Sequence, residues 1–177
     1  KSTGAAVIFG ATGGVMEAAL RTAYEIVTGR EVPFDNLNIV PVRGLDGVKE
    51  AKVKIEDVKP EWSFLEGAEL SCAIAHGLSN AKILMDKVKA GEADYHFIEI
   101  MACPGGCLGG GGQPIPVSNV IRQKRMDAIY DEDASLEFRK SHENPEIIDI
   151  YEDFLGEPLG HKSHELLHTH YTTRKKY

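Results

Sequence analysis

The sequence predicts an α/β fold: a mainly parallel or mixed sheet lobe flanked by helices, followed by a helical C-terminal extension. Three observations carry this expectation. Apolar runs of strand length alternate with amphipathic runs of helix length over residues 1–115. Beyond Pro116 the strand-like runs cease and helical patterning takes over to the end of the chain. Between the two regimes lies a glycine-rich loop with two cysteines, entered directly from an apolar run. An open α/β sheet gathers its chemistry at such strand ends. The expected division is therefore 1–115 for the α/β lobe and 116–177 for the helical extension.

Each element has its own signal. Ala5-Ala6-Val7-Ile8-Phe9 reads as a short buried strand and Gly10–Gly14 as a tight turn. A helix follows over about Val15–Val27, where Met16, Ala19, Leu20, Ala23 and Val27 fall near helical spacing. After a loop at Pro33–Asn36, Leu37–Val42 reads as a strand, and Ala51–Ile55 alternates apolar and charged as a half-exposed strand does. Glu69–Ala75 is a core strand punctuated by Gly77, Asn80–Lys89 a helix stopped by Gly91, and His96–Ile100 the strand leading into Met101. Helices are expected at Val117–Tyr130, Ala134–Ser141 and Pro145–Leu155. Gly156–Gly160 then breaks the chain, Ser163–His168 forms a last helical turn, and Arg174-Lys175-Lys176 is a frayed basic tail.

Composition bounds the function. Hydrophobic content of 42% and charged content of 27% over 177 residues describe an ordinary globular domain with a real core. A net charge of −7 argues against a nucleic-acid or anionic-membrane surface. No apolar run approaches the ~20 residues of a membrane span. No signal peptide is visible, which points to the cytoplasm and leaves a periplasmic location open. The chain opens at Lys1 rather than a methionine and reads as a piece of a longer or processed polypeptide. Three cysteines, two of them close together, make a poor disulfide framework and a better metal or reduced-thiol pattern.

Cys103 and Cys107 are the leading chemical candidates. A C-x3-C pair supplies two ligands at most to a four-thiolate cluster, and a zinc site would need two further Cys or His. The flanking glycines make mere packing a poor reading, because backbone without Cβ approaches inorganic sulfide closely. Cys72, in a plain apolar run, reads as a core cysteine. Gly10–Gly14 lacks the lysine and hydroxyl of a phosphate loop and the spacing of a dinucleotide fingerprint. Glu17 beside it would repel phosphate, so a tight turn against a neighbouring lobe or cofactor is preferred. His164 and His168 lie four apart but have no obvious third ligand, with His161 and His170 the only possibilities, and packing is the simpler reading. Glu99 and Glu17 are candidate proton carriers, although a strand or helix carboxylate is more often a structural partner. Asp131-Glu132-Asp133 reads as a solvated face.

The segment Met101-Ala-Cys103-Pro-Gly-Gly-Cys107-Leu-Gly-Gly-Gly-Gly-Gln113-Pro114 resembles the third signature of the active-site domain of FeFe-hydrogenases, the iron-only hydrogenases. Phe9-Gly-Ala-Thr-Gly-Gly-Val-Met-Glu-Ala-Ala-Leu-Arg21 resembles the block upstream of it. Arg139-Lys-Ser-His-Glu-Asn-Pro145 and Pro158-Leu-Gly-His-Lys-Ser-His-Glu-Leu-Leu-His-Thr-His170 resemble the family's C-terminal region, a separate small subunit in some members.

The resemblance implies reversible hydrogen oxidation at an H-cluster, a 4Fe-4S cubane joined through one cysteine sulfur to a two-iron subsite carrying carbonyl and cyanide. By motif position Cys103 would ligate the cubane, and Cys107 would ligate it and bridge to the two-iron subsite. Met101 would pack against that subsite and Phe9 would form an apolar wall beside it. Apolar walls keep water from a low-valent metal and tune its potential, while the cofactor carries the hard chemistry. The family's other needs have no matching motif here: two more cubane cysteines, a proton-passing cysteine, a cyanide-bonding lysine and an acidic relay. The implied partners are the remainder of the catalytic domain and an electron carrier such as ferredoxin or a nicotinamide-linked subunit, within a multi-subunit complex. Three alternatives stay open: a non-catalytic iron–sulfur cluster assembly or carrier relative, a hydrogen sensor, and a structural subunit that clamps a catalytic partner.

Overall fold

The computed structural model describes residues 1–175. Its centre is a three-stranded mixed sheet in the order β1-β2-β3, built from Val48–Lys54, Glu69–His76 and Phe97–Met101. β1 pairs with β2 antiparallel and β2 with β3 parallel. The β1 alternation puts Lys49, Ala51 and Val53 inside and Glu50, Lys52 and Lys54 outside, as a strand covered on one face requires. β2 carries the continuous buried run Cys72–Ala75 because helices cover both of its faces.

On one face lies α2, Gly14–Thr28, whose Met16, Leu20 and Tyr24 pack with Ile39, Val42, Val53, Cys72 and Ile74 in the main core. Gly29 ends it in the left-handed conformation. On the other face lies α3, Leu78–Ala90, whose Leu84 packs against Ala73 and Ala75. This is the α/β lobe the sequence predicts, and the mixed alternative is the one realised.

Two expected strands are absent. Residues 5–9 instead form α1, Gly4–Val7, and a 3-10 turn, Ile8–Gly10. Thr3 caps α1 by accepting the Ala6 N–H at its side chain. A short buried apolar run reads alike in either conformation, and here the helix lets a small-residue face meet a neighbouring helix. A Cβ on Gly4 would lie 2.0 Å from Asp133 Oδ1. Residues 37–42 form two tight turns, because Asn36 and Leu37 take positive φ and Pro41 has no N–H to give a ladder. The Ile39 N–H goes instead to the Glu17 carboxylate at 3.3 Å.

The C-terminal part opens with α4, Asn119–Ser135, capped by the Ser118 side chain. The expected helix at 134–141 is not formed. α4 runs through Ser135, and the chain then extends so that the Phe138 carbonyl accepts the Gly4 N–H at 2.8 Å. That path returns Arg139 to Asp133, on the helix it has just left. α5, Pro145–Ile150, continues into a π-helical turn over Tyr151–Leu155, and α6 spans His161–Leu167. Lys176 of the basic tail lies outside the described residues. Among the described residues, no helix is long and apolar enough to cross a membrane.

Candidate metal centre

β3 delivers its C-terminal residue, Met101, opposite His76 of β2, and the Met101 carbonyl accepts the Gly77 N–H at 2.8 Å. The chain then leaves the sheet as the cysteine loop. A turn closed by Gly106 N–H to the Cys103 carbonyl (2.9 Å) and a 3-10 turn at Cys107–Gly109 set the two cysteines on successive bends. Cys103 is half-buried, Cys107 is exposed, and neither is in a disulfide.

This loop is built back to back with the glycine turn that precedes α2. Ala11 and Gly106 form an isolated antiparallel bridge, and the Thr12 N–H donates to the Gly105 carbonyl at 3.1 Å. Gly106 has φ of +86°, and a Cβ there would sit 2.7 Å from the Gly10 carbonyl oxygen. Only glycine fits both the conformation and the approach. The bridge lays the backbone leading from Phe9 alongside that of Cys107. Phe9 itself, two residues before Ala11, is 46% exposed.

The glycine turn is held from behind. The Glu99 carboxylate on β3 accepts the N–H groups of Gly13 (2.6 Å) and Met16 (2.7 Å), so it caps the N-terminus of α2, where negative charge is favoured. Burial raises its pKa, opposed by those two donors and by the Lys49 charge. Lys49 Nζ is buried and donates to the carbonyls of Thr12 (3.0 Å) and Gly44 (2.8 Å); burial lowers its pKa to about 8. Glu17 is also buried. Arg21 and Arg43 donate to it, at 2.8 Å from Arg21 Nη2 and 2.8 Å from Arg43 Nε. Both carboxylates therefore have structural partners.

The other candidates separate cleanly. Cys72 lies fully buried in β2, its thiol pushed up to about 11 by burial, facing α2 rather than the loop. Asp133 is a fully buried ion-pair centre rather than part of a solvated face, bonded by Arg21 and Arg139. Its carboxyl is held below the usual range; burial, the largest influence, pushes the other way but is outweighed by the two guanidinium groups. The rings of His164 and His168 meet edge to face with their Nδ1 atoms 2.9 Å apart, exposed on the surface. Among the described residues, no group of three or more His, Cys, Asp and Glu is arranged to hold a metal ion.

The sequence reading missed three groups: Lys49 at the glycine turn, and Arg122 and Arg125 at the cysteine loop. Arg125 donates to the carbonyls of Leu108 (2.7 Å) and Pro114 (2.9 Å). In sequence these are merely cations in amphipathic segments, with only the three-residue spacing of Arg122 and Arg125 marking one helix face.

An iron–sulfur cluster fits these residues along one edge. A Cβ at Gly110 would lie 3.3 Å from Cys103 Sγ, and nothing stands within 4 Å of such an atom at Gly111 or Gly112. The glycines thus keep open space beside the thiols, while the cations behind suit an anionic cluster.

Residues 1–111 match the family model for the C-terminal domain of the iron only hydrogenase large subunit. The chain belongs to the iron-only hydrogenase family. Residues 119–174 match the iron hydrogenase small subunit. The NADP-reducing hydrogenase subunit HndD of Solidesulfovibrio fructosivorans is 54% identical over 99% of this chain, which covers 28% of that protein. A solved structure of apo FeFe-hydrogenase HydA1 from Chlamydomonas reinhardtii shares 48% identity with a TM-score of 0.74, over 94% of this chain and 46% of that one. Protein NAR1 of Arabidopsis thaliana is more distant, at 30% identity over 93% of this chain and 33% of that protein; a Xenopus tropicalis protein at 29% identity is named a cytosolic Fe-S cluster assembly factor. The chain thus spans about a third or less of the curated relatives it matches.

Proposed function

We propose that this chain is the C-terminal part of an FeFe-hydrogenase and supplies two of the thiolates that hold its H-cluster. The carrying observation is the loop itself: two free thiols on successive bends at the end of β3, with Gly110 leaving room beside Cys103. Cys103 and Cys107 would ligate the cubane, and Cys107 would also bridge to the two-iron subsite. The H-cluster supplies reversible conversion of two protons and two electrons to hydrogen.

The protein's own contribution is to orient and exclude. Met101, at the end of β3 and two residues before Cys103, and Phe9, two residues before the bridged Ala11, would supply apolar walls. Such walls keep water away from a low-valent metal. The Ala11–Gly106 bridge fixes Phe9's segment against Cys107's, so wall and ligand move as one body. Glu99 and Lys49 hold the glycine turn from behind through its amide and carbonyl groups. The remaining ligands, the proton path and the electron carrier, whether ferredoxin or a nicotinamide-linked subunit, would come from other parts of the protein or its complex.

The cluster-assembly reading is supported by the more distant matches; the higher identity to HndD favours the hydrogenase. Infrared spectroscopy of the anaerobically purified assembly tests the choice. Metal-bound carbonyl and cyanide bands are expected. A filled cubane without those bands would move the assignment to a cluster-assembly or carrier protein.

A further inference from the structure

The cysteine loop is braced by a helix that lies after it in sequence. Arg125 of α4 puts one guanidinium nitrogen on the Leu108 carbonyl and the other on that of Pro114. Those two carbonyls bracket the four glycines that follow Cys107, the stretch with least side-chain packing of its own. One turn earlier, Arg122 fills the space under the other half of the loop. Its Cδ lies 3.2 Å from where a side chain on Gly105 would begin, and its Nε lies 2.3 Å from the same point on Gly109. That Nε is buried and has no hydrogen-bond partner. Leu108 and Met126 pack with Ala11 beside them, joining loop, glycine turn and α4 in one small core. Burial, with Lys49 and Arg122, lowers the imidazole pKa of His76, and Asp46 opposes them.

We infer that Arg125 is a positioning residue for the Cys107–Pro114 half of the loop, and that its charge raises the reduction potential of the cubane held there. The inference rests on the function proposed above. A planar guanidinium holds two carbonyls with little further ordering, whereas a glycine run left alone would populate many conformations. A fixed cation near a thiolate-bound cluster favours the reduced, more negative state.

The test compares Arg125→Gln and Arg125→Lys with the parent in the full-length protein. The first readout is amide hydrogen exchange of the 107–114 peptide in the metal-free, reduced state. Arg125→Gln should exchange several-fold faster there, with β2 peptides unchanged; parent-like exchange overturns the positioning role. The second readout is the cubane midpoint potential after reconstitution with iron and sulfide, followed by electron paramagnetic resonance. Arg125→Gln should shift it to more negative values and Arg125→Lys should restore most of the shift; no shift with Gln overturns the charge effect. If the parent takes up no cubane, the functional reading fails, and the exchange comparison still decides whether Arg125 holds the loop. If Arg125→Gln does not fold, Arg125→Lys carries that comparison, because lysine cannot span both carbonyls as the fork does.

Discussion

Gly110 and Gly106 are both glycines of the thiol loop, but for different reasons. Gly110 has φ of −83°, a conformation any residue adopts, and a side chain there would only crowd Cys103 Sγ, at 3.3 Å from where its Cβ would lie. Gly110→Val in the full-length protein should therefore change stability by no more than about 1 kcal/mol, while iron bound after reconstitution falls well below the parent's. Urea unfolding and iron analysis read the two effects separately. Gly106 is constrained by conformation and contact together, so Gly106→Ala should cost about 1–3 kcal/mol in the same unfolding measurement. Cys72 gives the matching control: buried, with its thiol pushed up to about 11, it should stay unmodified at pH 8 while iodoacetamide labels the loop cysteines of the metal-free protein. At this scale the thiols and glycines were legible in the sequence, because few other roles assemble that composition. Glu99 was legible as a structural carboxylate; Arg122, Arg125 and Lys49 were not, since a charge in an amphipathic segment reads as solvated until the fold shows which groups it meets.

Among the elements, α2 and β1 were readable from the spacing of their apolar residues, β2 and β3 from short apolar runs, and α3 and α4 from runs of helix length. Residues 5–9, 37–42 and 134–141 were not, because their paths are set by partners far away in sequence. The last of these is governed by the Asp133 ion pairs, which bind α4 to α2 and to the chain's return. Arg21 donates to Asp133 through both terminal nitrogens at 2.8 Å, and both residues are fully buried. Arg21→Met strips Asp133 of its principal partner and should cost roughly 3–5 kcal/mol in urea unfolding, the usual range for breaking a buried pair from one side. The pH dependence has a definite sign. The folded-state pKa of Asp133 lies below its ordinary value of 3.8, so its contribution is full above that value and is lost as pH falls beneath it. Asp133→Asn should thus be less stable than the parent at pH 7 and show a shallower further loss under acid, measured by unfolding across pH 2–5.

Over the whole molecule, stability is unevenly spread. Main-core side chains come from α2, β1, β2 and the 32–42 segment, whereas α6 contributes only Ser163 to the buried set and residues 168–175 are exposed. Hydrogen exchange in the full-length protein should rank β2 and α2 amides slowest and those of 168–175 among the fastest. Equal protection across both would contradict the packing described. Packing runs across the division at 115 and 116 that the sequence suggests, because α4 shares cores with both Ala5 and Ala11 of the first part through Tyr130 and Met126.

The order of the chain gives that crossing a further meaning. During synthesis both thiols leave the ribosome before α4 does, so the loop exists for a time without the helix whose guanidinium holds its carbonyls. Its contacts are of long sequence separation with the glycine turn and arrive late from the C-terminal side, the slow class of folding event. On the function proposed above, loading of metal at this corner would follow the synthesis and docking of α4, and a chain truncated before residue 119 would meet its iron with the loop unbraced.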